Sequence, residues 1–589
     1  MTAADPFTEE IIKDKLGAIA DEMGIVLART SMSPVVYEVL DFACGLADDA
    51  GQVIAQTNGI TVFTGTFRPQ IESVVRKFGR DGLAPGDVFL TNDPYQGATH
   101  VCDICLVAPV FDDDALLGFA VSVTHWVDVG GGMPGSIPPD ATEIFQEGIL
   151  LPCLRLARGG TLDDTVLDVI RANVRLPRMA LGDLRAGLAA VTIGERGLAA
   201  LARRYGHAAL TAATASLLAQ GEQRSRAEIA AIPDGVYTAE DVIDGDGITE
   251  DPIPIRVAVT VRGEAIEVDF TGTSPQARGP VNCTRGALES ACKTAFRAIT
   301  APQAPSNEGA FRPFTITCPP GTIFSAEPPA PTGWYYESTA FATELIWRAL
   351  APVLPERLGA GSYVSLCATY VVGPSEDGDA GVYVLVEPND GGWGADRDED
   401  GESALIATTD GDTYNFPVEV IESRFPLRVE RYALDTAAGA GAGRRRGGLG
   451  VIREYRVMSP RGAVSYGSIG GWRRRPWGVA GGGEGTPNYL EYVRADGSSD
   501  RHGRVRRMEL VAGDVIRTVT GGGGGYGDPR EREVERVAGI VLRHAADDRG
   551  HEPLLTALFP CPSECSSGIA LAVRTCDESR ERLPFHAKR

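Results

Sequence analysis

The sequence predicts an α+β protein of several domains, with mixed sheets and one long helical segment. A chain of 589 residues exceeds what one ordinary core holds. Along it, apolar residues change between helical and alternating spacing several times. Its 71 glycines, above the usual share, predict many turns and close backbone approaches.

The first element is a helix over "PFTEEIIKDKLGAIADEMGIVLARTS". Ile12, Leu16, Ile19, Met23 and Val26 recur at spacings of four and three, with Thr8 as the expected N-cap. Residues 41–56, "DFACGLADDAGQVIAQ", read as a hairpin around a turn of Asp, Asp and Gly. A second helix is expected over 67–79, then strand-like runs between 87 and 125. Residues 161–232 are rich in Ala, Leu and Arg with few breakers, hence helical. Composition shifts at "IPDGVYTAEDVIDGDG", and 255–272 forms a second hairpin. Strands, helices near 284–300 and 337–353, and Gly-rich turns continue to about 530. The expected divisions are 1–232, 233–435, 436–530 and a tail, 531–589. That tail carries Cys561, Cys565 and Cys576, and no function is assigned to it.

A formal charge of −23 repels phosphates and argues against nucleic acid as partner. No run approaches 18 apolar residues and the N-terminus is acidic, so neither a signal peptide nor a membrane anchor is expected. A cytoplasmic protein follows as the expectation. Eleven scattered cysteines then read as free thiols.

The chemistry-bearing stretch is 41–128. His100 and His125 are each followed, three residues on, by an acid, Asp103 and Asp128. Positions three apart on a straight strand face opposite sides, so His100 and Asp103 meet only if the chain turns, which "NDPYQGATH" invites. Imidazole and carboxylate donors suit Zn, Mn or Fe, and an incomplete shell leaves room for a reactive water. Hydrogen-bonded structural histidines are the other reading, and the local pattern leaves both open. Cys102 and Cys105 form a C-x-x-C, but no second pair and no helix start follow, so they read as buried thiols.

A broader likeness bears on the choice. Residues from about 7 to 530 resemble the hydantoinase B/oxoprolinase family, which includes large subunits of acetone- and acetophenone-type carboxylases. Carrying it are "DFACGLADDAGQVIAQ", "GDVFLTNDPYQGATHVCDICLVAPVF", "THWVDVGGGMPGSIPPDATEIFQEGI", "DGVYTAEDVIDGDG", "VDFTGTSPQARGPVN", "NFPVEVIESRFPLRVERY", "RRRGGLGVIREY" and "GGGGGYGDP", in one order. The resemblance implies one divalent metal on the residues matching His100, Asp103 and His125, with Asp41 as a fourth ligand. It also implies ring opening of a hydantoin, 5-oxoproline or lactam at the expense of ATP, with a hydantoinase A-type subunit as partner. Asp128 and Glu143 are the candidates for proton transfer. A ketone carboxylase subunit and a non-catalytic scaffold are the alternatives.

"GGGGGYGDP" contains G-x-G-x-x-G, but too little chain follows for a dinucleotide unit, so a tight turn against a neighbouring segment is expected. There is no Gly-Lys pair anywhere, hence no P-loop, and no G-x-S-x-G. ATP is therefore expected on the partner.

Overall fold

The computed structural model describes residues 5–375, 381–534 and 536–537. The first helix, α1, spans Pro6–Thr30. Its cap is Asp5, not Thr8: the Asp5 carboxylate accepts from the amides of Phe7 (3.1 Å) and Thr8 (3.3 Å). Pro6 sets the start, because its fixed φ suits the first helical position and it lacks the amide a cap would serve.

The hairpin expected at 41–56 is β1 (Phe42–Asp48) and β2 (Val53–Gln56). A short helix α2 (Thr61–Thr64) and α3 (Phe67–Phe78) follow, then β3 (Val88–Thr91), β4 (Asp103–Asp112), β5 (Ala115–His125), β6 (Leu154–Arg158) and β7 (Thr161–Leu162). These strands form one sheet in the order β2-β1-β5-β4-β3-β6-β7. Register places the chemistry at one end of it. Asp103, first in β4, pairs directly with His125, last in β5. Phe42 pairs with Thr124, so Asp41 arrives beside His125, whose amide donates to the Asp41 carbonyl (3.1 Å).

The helical segment supplies α4 (Pro177–Tyr205) and α5 (His207–Ile229). Small residues let α4 lie close on the sheet. A Cβ at Gly187 would stand 3.0 Å from Leu106 Cδ1, and one at Gly194 would stand 2.7 Å from the Ala120 Cβ. Density of this kind leaves no slack for a larger side chain.

A second sheet holds residues 314–317, 265–269, 253–262 and 235–243 in that order, and includes the expected second hairpin. The helices α6 (Arg285–Thr300) and α7 (Tyr335–Leu350) fall where expected. Two further antiparallel sheets follow, and the division drawn at 435/436 does not separate them. Residues 368–374 pair with 463–468, and 427–434 with 451–457, so both sheets take strands from each side of it. Gly522–Gly525 pack tightly against neighbouring segments as expected, but as non-turn backbone: the amides of Gly523, Gly524 and Gly525 donate to the carbonyls of Gly448, Gly361 and Gly483, each at 2.9 Å. A side chain on Gly523 would collide with the Trp393 carbonyl.

Cys44, Cys102, Cys105, Cys153, Cys283, Cys292, Cys318 and Cys367 are all free thiols, as expected. Cys561, Cys565, Cys576 and the tail from 538 lie outside the described residues. Among the described residues no helix is long and apolar enough to cross a membrane.

Candidate functional site

His100 reaches the end of the sheet through the turn the sequence required. Gly97 adopts φ of 110°, closing a turn at Pro94–Gln96, and the Asp103 amide donates back to the His100 carbonyl (3.2 Å). Asp41 is delivered by strain: Leu40, before it, has φ of 62°, costly for a branched residue.

Three donor atoms converge. His100 Nε2 lies 3.0 Å from Asp103 Oδ1 and 3.2 Å from His125 Nδ1, and His125 Nδ1 lies 2.9 Å from the same Asp103 oxygen. His100 Nδ1 sits 2.9 Å from the Gly333 carbonyl oxygen, an acceptor only, so Nδ1 carries the hydrogen. In the neutral tautomer with its hydrogen on Nδ1, the lone pair of Nε2 faces the Asp103 carboxylate and the His125 ring. Without a proton or cation between them, that contact is repulsive. The separations match the ~3.0–3.4 Å edges of a shell whose ligands lie about 2.1 Å from an ion. His125 Nε2, buried, has no hydrogen-bond partner.

Behind His100, Glu147 is fully buried and accepts from the amides of Gly333 (2.7 Å) and Thr332 (3.1 Å). It thereby holds the carbonyl that selects the His100 tautomer. Burial pushes Glu147 up to about 8, although both amides work against this. Thr99 donates to the other oxygen of Asp103. Tyr335 sets its ring edge-on to His100 at 4.9 Å between centroids.

The charges are coupled. Burial opposes ionisation of Asp103, yet the His100 and His125 rings hold it well below the usual carboxylate range. Burial likewise opposes protonation of His125, but Asp41 and Asp103 raise its affinity for a proton. Asp41, half-buried, is pushed to about 6 by burial and by Asp103, with both histidines offsetting. Asp410 lines the same cavity and reaches about 8, through burial first and Asp41 next. The cavity, about 30 Å³, is walled by Phe63, Leu366, Val386 and Tyr370.

The structure thus brings together Asp41, His100, Asp103 and His125. Asp128 and Glu143, the candidates for proton transfer, are placed otherwise. Past His125 the chain turns away, and both oxygens of Asp128 are committed to the Gly130 and Gly135 amides and to Arg175 (3.0 Å from its Nη1). Glu143 is exposed at the start of a short 3₁₀ turn. Asp410, Glu147 and Gly333 went unnoticed in the sequence because nothing local marks them. Cys102, read there only as a buried thiol, is nearer than expected: ligand atoms of His100, Cys102 and His125 lie within 4.8 Å of one another. Its sulfur faces the Ser136 carbonyl (3.8 Å), and burial keeps it protonated.

A profile described as Hydantoinase B/oxoprolinase matches residues 5–529. The chain belongs to the hydantoinase B/oxoprolinase family. Among members of that family, caprolactamase subunit beta from Pseudomonas jessenii is 30% identical over 92% of this chain and 94% of its own. The crystal structure of ATP-dependent caprolactamase from that organism superimposes with a TM-score of 0.84 over 92% of this chain and 94% of that one, at 28% identity. The 5-oxoprolinase of Saccharomyces cerevisiae is 28% identical over 90% of this chain, which spans only 42% of that longer protein. Outside close sequence similarity, a nucleotide-free acetone carboxylase shares the fold: TM-score 0.87, covering 99% of this chain and 84% of that one, at 19% identity.

Proposed function

We propose that this chain is the metal-bearing subunit of an ATP-dependent hydrolase that opens cyclic amides such as hydantoins, 5-oxoproline or lactams. The observation that carries the reading is the convergence of His100 Nε2, His125 Nδ1 and Asp103 Oδ1 on one point, with the His100 lone pair directed into it. Asp41 completes the donor set. Zn and Mn suit such mixed nitrogen and oxygen donors, as does Fe. Bound there, the ion would supply Lewis acidity and lower the pKa of water from 15.7 towards ~7.

The chain's own residues do the rest. Gly333 and Glu147 lock the His100 ring, and Asp103, held anionic, balances charge. Asp410, buried in the wall of the same cavity, takes the proton-transfer role. Phe63, Leu366 and Val386 exclude bulk water. The cavity holds a water or two, so a ring substrate must displace its walls on entry.

An unstrained amide is a poor electrophile, and activation by ATP falls to a hydantoinase A-type partner. Two observations support the division. The sequence has no P-loop. The same chain also corresponds to nearly the whole of a protein named a subunit and to 42% of a longer one. Free thiols support a cytoplasmic setting.

The shared fold with acetone carboxylase keeps a ketone carboxylase as second reading. Co-expressing the chain with its partner separates them. With ATP, the complex should open 5-oxoproline, a hydantoin or caprolactam and leave acetone with bicarbonate untouched. Carboxylation without ring opening reverses the assignment, and ATP turnover by this chain alone ends the division of labour.

A further inference from the structure

A second and larger concavity, about 1000 Å³, opens between α1, α5 and α6. Its charges are only partly paired. Lys13 pairs with Glu10 (3.2 Å), and Lys293 with Glu308 (3.1 Å). Arg224 and Arg297 line the same cleft, and among the described residues neither has a carboxylate in salt-bridge range. Arg297 donates to the Ala304 carbonyl and, among the described residues, to no other acceptor. Burial and then the neighbouring Arg224 charge both lower its proton affinity, with no acid offsetting them. In a chain of net charge −23, two adjacent unmatched guanidiniums in a concave site are anomalous. Asn307, 5% exposed, also lines the cleft and its amide oxygen has no partner. Rotation of that amide can offer an N–H instead. Asp14 and Asp21 lie on the α1 wall, exposed to solvent.

We infer that Arg224 and Arg297 form a binding site for a small oxyanion, completed by the Asn307 amide. Two guanidinium forks match the geometry of phosphate or carboxylate. Its position matters as well. Thr61 and Thr64 of α2 line this cleft, whereas Phe63 of the same turn walls the cavity of the histidines. The Val62 amide and the Thr61 hydroxyl hold the Thr409 carbonyl (3.1 and 2.9 Å), immediately before Asp410. One helical turn therefore separates the two sites. If lactams are opened with ATP, a reading on which the choice of ligands rests, phosphate and an amino-carboxylate are the anions released. Either fits the arginines.

Calorimetric titration of the full chain with inorganic phosphate, and separately with L-glutamate, tests the site without turnover, so its outcome is independent of the proposed reaction. Saturable binding of at least one anion is expected, weakened about 10-fold in Arg224→Gln and abolished in Arg224→Gln/Arg297→Gln. The anion that binds names the source. Should the double variant fail to fold, the exposed Arg224→Gln alone decides. No saturable binding of either anion, or unchanged affinity in a folded Arg224→Gln protein, overturns the site.

Discussion

The His100 tautomer is chosen by a carbonyl 233 residues away in sequence, and this long reach defines the site at the scale of single residues. Glu147 fixes that carbonyl. Glu147→Ala removes both oxygens that accept from the Thr332 and Gly333 amides, so the Gly333 peptide loses its anchor. Metal affinity should drop about 10-fold or more while the fold persists, measured by competition against a chromogenic chelator. Asp410→Asn is expected to act differently. Its carboxylate accepts from the Thr409 hydroxyl (3.2 Å) and is not a member of the proposed shell, so metal content should stay full while kcat falls about 10²-fold in steady-state assays of the complex. The two histidines and Asp103 stood out as candidates because isolated histidines with nearby acids are conspicuous in a chain holding only seven histidines, while their grouping as one ligand set was implied by the family resemblance. Asp128 shared that local pattern but is engaged elsewhere. Proximity in sequence did not survive the turn after β5, where Arg175 takes its carboxylate.

Among elements, strong periodicity was the reliable signal. α1, α3 and both hairpins fall where spacing placed them. The α1 cap was misplaced because Thr8 and Asp5 both have capping side chains, and only Pro6 decides between them. The sheet partners across 435/436 could not be read, since alternation marks a strand without saying which distant strand it joins. Packing of α4 on the first sheet gives a test at this scale. Gly194→Leu would drive a side chain into Ala120 and Met23, and should destabilise the protein by about 1–3 kcal/mol. A lower denaturant midpoint at unchanged slope is the expected observation, whereas an unchanged midpoint would show that α4 is free to move off the sheet.

Across the whole molecule, buried carboxylates set the response to pH. Burial raises Glu147 to about 8, and Glu337 and Glu344 to about 7. Between their ordinary range near 4.5 and these values, the folded chain keeps protons that the unfolded chain releases, so stability falls as pH rises through that window. Calorimetry should show Tm dropping by about 5 °C or more from pH 5.5 to 8.5. A Tm that rises over this interval would mean these groups are ionised in the folded protein.

The central claim is that His100, Asp103, His125 and Asp41 hold one ion. Elemental analysis of the purified chain beside His125→Ala and His207→Ala tests it most directly. The wild type and His207→Ala, whose change lies at the start of α5, should each carry close to one equivalent of a divalent metal. His125→Ala should be folded, nearly metal-free and inactive with its partner. A full equivalent of metal in an active His125→Ala protein would contradict the site.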